Sequence, residues 1–132
     1  MQNTKTFTYD AASNLLTAAD GNGAYNFTYD VLNRVETVAE PFSLAMTFAY
    51  DAVSNRTSVV DNKGGVQTSI YDVLNRLDAR EFTGNGATLS YDFIYTARSQ
   101  ESAISRYSDL TGTTKIGETT NTFDALGRMT NQ

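Results

Sequence analysis

The 132-residue chain contains no cysteine, no histidine, no tryptophan and a single proline. Without cysteine there is no disulfide, no thiolate metal site and no Cys nucleophile. Without histidine there is no imidazole ligand and no Ser-His-Asp triad. Positive charge is also scarce: 10 Lys+Arg stand against 15 Asp+Glu, a net charge of −5. Nucleic acid and anionic membranes both need a basic face, so neither is expected as a partner. No apolar run approaches the ~20 residues of a membrane-spanning helix. The start MQNTKTFTYD lacks the apolar region of a secretory signal. What is present is 40% hydrophobic residues with 8 Tyr and 7 Phe, enough for one domain covering residues 1–132.

The dominant signal is an internal repeat. Tyr9-Asp10-Ala11-Ala12-Ser13-Asn14-Leu15 returns as Tyr29-Asp30-Val31-Leu32-Asn33-Arg34-Val35. It returns again as Tyr50-Asp51-Ala52-Val53-Ser54-Asn55-Arg56 and as Tyr71-Asp72-Val73-Leu74-Asn75-Arg76-Leu77. A degraded copy starts at Tyr95-Thr96, and Phe123-Asp124-Ala125-Leu126-Gly127-Arg128-Met129 closes the series. The starts at 9, 29, 50, 71, 95 and 123 are separated by 20, 21, 21, 24 and 28 residues.

Each copy has one local grammar. The residues before it alternate, as in Thr6-Phe7-Thr8-Tyr9 and Thr47-Phe48-Ala49-Tyr50, which is the period of a strand. Aspartate follows, then two small or apolar residues, then Ser, Asn or Gly. The carboxylate can accept from the backbone amide two residues on, and Asn or Gly tolerates positive φ. The chain then extends again from Arg34 to Ala39, Arg56 to Val60 and Arg76 to Phe82. The other connections, Asp20-Gly21-Asn22-Gly23, Asp61-Asn62-Lys63-Gly64-Gly65 and Thr83-Gly84-Asn85-Gly86, read as hairpin turns. The expected fold is all-β: an antiparallel meander of repeated hairpins. The break after residue 96 reads as a distorted repeat or a longer loop, with room for a short helical turn.

This repeat resembles the YD repeats of the Rhs family, which includes polymorphic toxins, wall-associated proteins, Tc-toxin C components and teneurins. Asn33-Arg34-Val35, Asn75-Arg76-Leu77 and Gly127-Arg128-Met129 carry the resemblance, which covers residues from about Thr6 onward. It implies a curved, Rhs-like open sheet or partial shell, which in full-length members encloses cargo. It also suggests a bacterial secreted or surface context. The chain has no Asp-Pro-x-Gly self-cleavage segment; its one proline lies in Glu40-Pro41-Phe42. A series of six copies that begins and ends inside the pattern is expected to be a segment of a longer array.

The candidate residues divide by chemistry. Tyr9, Tyr29, Tyr50, Tyr71 and Phe123 open the motif. Phe7/Tyr9, Phe27/Tyr29, Phe48/Tyr50 and Tyr91/Phe93/Tyr95 sit at alternate positions and are expected to stack as ring columns on one face. These read as core that pins strand register; the competing reading is a carbohydrate platform on Phe27, Tyr29, Phe48 and Tyr50. Asp10, Asp30, Asp51, Asp72 and Asp124 read as turn caps, against a calcium-binding row. Arg34, Arg76 and Arg128 are expected to bond carboxylates or carbonyls of the adjacent repeat. Asn14 and Asn55 stand in the arginine position of two copies, which argues against an unbroken ladder. Gly127 supplies the corner of the last copy. The loop at Asp20 departs from an EF-hand at Ala24 and Tyr25. No catalytic set, cofactor or metal is implied. The expected partners are the chain itself, through sheet edges or the aromatic face, or the rest of a longer repeat shell.

Overall fold

A computed structural model of the chain describes residues 4–131. It is all-β. Among the described residues there is no α-helix, and strands β1 to β11 are hydrogen-bonded in chain order into one open antiparallel meander. The strands divide between two compact units, whose boundary falls between Val66 and Gln67.

The first unit holds β1 (Thr6–Tyr9), β2 (Leu15–Asp20), β3 (Gly23–Tyr29), β4 (Val35–Ala39), β5 (Ala45–Tyr50) and β6 (Arg56–Asp61). Register explains the alternating sequence. Phe7 pairs with Ala18, Phe27 with Val38 and Phe48 with Val59, so rings and aliphatics share a face. Thr8 pairs with Thr17, Thr28 with Thr37 and Thr37 with Thr47, so the other face is a hydroxyl row. Its hydroxyls bond across strands at 2.6 Å for Thr8–Thr17 and 2.7 Å for Thr28–Thr37. At each motif tyrosine the register slips by one residue: Thr8 faces Thr17 but Tyr9 faces Leu15. The same bulge recurs at Tyr29 and Tyr50. A bulge sharpens the local right-handed twist and re-aims the side chain beside it.

The second unit holds all but the first residue of β7 (Val66–Tyr71), then β8 (Leu77–Gly84), β9 (Ala87–Tyr95), β10 (Glu101–Tyr107) and β11 (Lys115–Thr120). A two-stranded pair, β12 (Thr122–Phe123) and β13 (Met129–Asn131), carries the last motif copy. The longer spacings have two origins. Strands β8 and β9 run to 8 and 9 residues. The connection between β10 and β11 is a wide loop, residues 108–114. No helical turn forms after residue 96. The chain turns at Thr96 as in the other repeats, and the one 3₁₀ turn among the described residues is Pro41–Ser43. Proline fixes its own φ there, which suits the first position of a turn.

Burial runs against the expectation of an aromatic core. The only buried hydrophobic residue among those described is Ala103; Ser69, Ser90, Ser105 and Asn121 are buried with it. The motif rings are half-buried at best, and Phe7 and Tyr9 are exposed. The residues buried most deeply are small ones, which the neighbouring strands and loops can cover. The 108–114 loop covers Ser90, whose Oγ donates to Asp109 O at 2.7 Å, and also bonds the exposed Thr88, whose Oγ1 donates to Ser108 O at 2.9 Å.

Candidate functional site

The chemistry-bearing residues of the sequence meet at the motif turns. In the first turn Asp10 Oδ1 accepts from the Ala12 and Asn14 amides at 2.9 and 2.8 Å. Asp30, Asp51, Asp72 and Asp124 each take the same two bonds, at 2.8–3.0 Å. The expectation covered the first bond; the second, four residues on, locks the whole corner. Ser13, Asn33, Ser54, Asn75 and Gly127 all sit three residues after the aspartate, with φ between 59° and 80°. This left-handed corner explains why the sequence offers Ser, Asn or Gly there and no β-branched residue.

The next residue binds the second carboxylate oxygen. Arg34, Arg76 and Arg128 each donate from Nε to Oδ2 of their own turn's aspartate at 2.7 Å. Asn14 and Asn55 do so through Nδ2 at 2.9 Å. Thus the arginines pair with the carboxylate of their own repeat, not the neighbour's. Their reach to the next repeat ends on other groups. Arg34 Nη1 donates to Asp51 O at 3.0 Å and Ser54 Oγ at 3.1 Å; Arg76 Nη1 donates to Ser99 Oγ at 3.2 Å. Asn14 does not interrupt the series, because its Nδ2 also donates to Asn33 Oδ1 at 2.9 Å. Arg128 keeps the bond within its turn, with its side chain 75% exposed.

Tyrosine completes the link. The hydroxyls of Tyr29, Tyr50 and Tyr95 donate to the carbonyls of Leu15, Val35 and Leu77 at 2.9, 2.8 and 2.8 Å. Each acceptor follows the arginine position of the preceding repeat. Arg34 lies 4.5 Å from the Tyr50 ring centroid and Arg76 the same distance from Tyr95, so guanidinium and ring stack between successive turns. Arg56 lies 5.5 Å from the Phe48 centroid. Two of the four rings of the carbohydrate-platform reading, Tyr50 and Phe48, therefore already carry a guanidinium.

Charge follows geometry. Asp30, Asp72 and Asp124 are held below the usual carboxylate pKa, first by the backbone amides of Arg34, Arg76 and Arg128, with further help from the guanidinium. For Asp10 the Asn14 side-chain amide leads. For Asp51 desolvation is the largest influence and opposes the shift, but the bonds from Asn55 and Val53 together outweigh it. Desolvation raises the Tyr95 hydroxyl. Among the described residues no three acidic side chains converge as metal ligands.

Two further turns share this grammar without a motif tyrosine. Asp61 Oδ1 accepts from Lys63 and Gly65 at 2.7 and 2.9 Å, with Gly64 at φ 92°. Asp109 Oδ1 accepts from Thr111 and Thr113 at 2.9 and 3.1 Å, with Gly112 at φ 68°. The signal was present: Asp61…Gly64 and Asp109…Gly112 have the spacing of Asp124…Gly127. The degraded copy keeps the form with weaker parts. Thr96 Oγ1 replaces the carboxylate and accepts from Arg98 and Gln100 at 3.3 Å. Gln100 takes the arginine's place, donating to Gly127 O at 2.7 Å, and Arg98 reaches Ala125 O at 2.7 Å.

Comparison with known proteins supports the fold. No family model matches the chain, and no curated protein matches its sequence. Solved structures do. A TcdB2-TccC3-Cdc42 crystal structure aligns over 96% of this chain with a TM-score of 0.81 and 18% identity. A TcdB2-TccC3 crystal structure aligns over 96% with a TM-score of 0.80 and 18% identity. The Photorhabdus luminescens Tc holotoxin pore, with mutated TccC3, aligns over 95% with a TM-score of 0.79 and 18% identity. The chain spans only 6–7% of the length of these chains. It has the fold of a small portion of a Tc-toxin protein.

Proposed function

We propose that the chain is a non-catalytic scaffold: a YD-repeat segment of an Rhs-type encapsulating shell. The observation that carries this reading is the turn-to-turn linkage. Aspartate closes the turn in five of the copies, the hydroxyls of Tyr29, Tyr50 and Tyr95 reach the preceding repeat, and Arg34 and Arg76 reach the next one. Repeat arrays gain stability from such neighbour contacts, so lengthening the array stabilises every unit within it.

A chimera tests the reading. Replacing the structurally matched repeats of a Tc-toxin shell protein with residues 6–131 of this chain should leave the enclosed cargo resistant to protease. Cargo cut as fast as in a shell lacking those repeats, with the chimera otherwise folded, would remove the proposal.

A further inference from the structure

We propose that the aromatic face of strands β8, β9 and β10 docks an extended acidic peptide segment with an apolar residue between its acids, held between Arg80 and Arg106. This goes beyond the scaffold reading and does not depend on it. Arg80 pairs with Tyr91, and Tyr91 with Arg106, so the three stand in one row across three strands. Phe93 and Ile104 pair in the next row. With Phe82 these residues line a shallow depression of about 300 Å³. Phe82 meets Tyr91 edge-on, with centroids 6.1 Å apart, which gives the depression a rigid aromatic floor.

The two arginines are what point to a ligand. Arg34, Arg76 and Arg128 are each paired with a carboxylate, yet among the described residues neither Arg80 nor Arg106 forms an ion pair. Asp78, two residues along the same strand, forms none with Arg80. Arg80 Nε is buried and has no hydrogen-bond partner. Arg106 leans outward over Gly117, where the missing side chain leaves room, and its Nη2 donates to Thr119 Oγ1 at 3.0 Å. Buried or half-buried guanidinium groups gain most from a carboxylate with matching fork geometry.

Spacing selects the occupant. Strands lie about 4.8 Å apart, so the Cα atoms of Arg80 and Arg106 are about 10 Å apart and an outward lean widens the gap. In an extended peptide, residues four apart lie about 13 Å apart on one face, with the residue between them on that same face. An acid-x-apolar-x-acid segment therefore places its apolar side chain over Tyr91, Phe93 and Ile104 and one carboxylate at each arginine. A polyanion such as nucleic acid would meet the acidic remainder of a chain with net charge −5.

The experiment is fluorescence anisotropy with labelled Gly-Glu-Ser-Leu-Ser-Glu-Gly, alongside peptides with Lys in place of both Glu or Ser in place of Leu. The acidic leucine peptide should bind at least tenfold more tightly than either comparison peptide. Arg80→Gln or Arg106→Gln should weaken it at least tenfold, Arg128→Gln should leave it unchanged, and salt should weaken it. The double variant R80E/R106E should exchange preference and take the lysine peptide, a gain that only a folded chain can show. Equal binding of all three peptides, no binding at millimolar concentration, or unchanged affinity in R80Q and R106Q would overturn the proposal.

Discussion

At the scale of the residue, the corner aspartate is the group on which the repeat is built. Its carboxylate accepts two backbone amides and one side chain, and all three prefer the ionised form. Asp10, Asp30, Asp51, Asp61, Asp72 and Asp124 are all shifted downward, so folding favours their deprotonation. A lowered folded pKa gives stability that is complete above the unfolded carboxylate value, near 3.9, and is lost as pH falls through the folded values below it. The melting temperature should be flat from about pH 5 to 8 and fall steeply below about pH 4. Asp72→Asn should lower the plateau and make the acid slope shallower. A melting temperature constant down to pH 2 would contradict the assignment. The tyrosine hydroxyl works by different chemistry. Tyr95→Phe keeps the ring under Arg76 and removes only the bond to Leu77 O. The expected loss is about 0.5–1.5 kcal/mol by urea titration, with no change in denaturant slope.

At the scale of the element, the turn tolerates exchange of parts as long as three features stay: an acceptor, a left-handed corner and a donor. Thr96 shows the weakest acceptor, with bonds of 3.3 Å where the aspartates have 2.8–3.0 Å. Ser99 still supplies the corner at φ 60°. Thr96→Asp should therefore restore the common turn and raise the melting temperature by a few degrees, as a charge-assisted bond replaces a neutral one. Calorimetry checks this; an unchanged or lower value would mean that the acceptor does not limit this turn. The turns were legible in sequence because they are local: every group in Asp10 to Asn14 lies within five residues. The partner of each arginine was not legible. Own-turn and next-turn carboxylates are both within reach of a long side chain, and only the fold shows that Arg34 takes Asp30 and then extends to Asp51 O. Asp61 was legible as a hairpin turn, but its kinship with the motif turns, like that of Asp109, was hidden because neither follows a motif tyrosine, whose job is separate from closing the turn.

At the scale of the molecule, strand order makes β1 and β11 the outer strands of the meander. Each outer strand presents a row of backbone groups on one side, and in the first unit Phe7 and Tyr9 are exposed. From these features we propose that copies associate through sheet edges or the aromatic face. Sedimentation velocity across a hundredfold concentration range should show the weight-average mass rising. A single monomer mass throughout would count against edge or face association.

Sequence by itself determined the strand period, the turn positions and the all-β class, because each depends on interactions within one repeat. Alternating aromatics, an aspartate and a corner residue are enough to specify a hairpin wherever they occur. Only the tertiary structure decided which face is covered, which carboxylate each arginine takes, and that Arg80, Tyr91 and Arg106 fall in one row. Those outcomes depend on register between strands, and register is set by bulges and turn lengths acting together across the sheet.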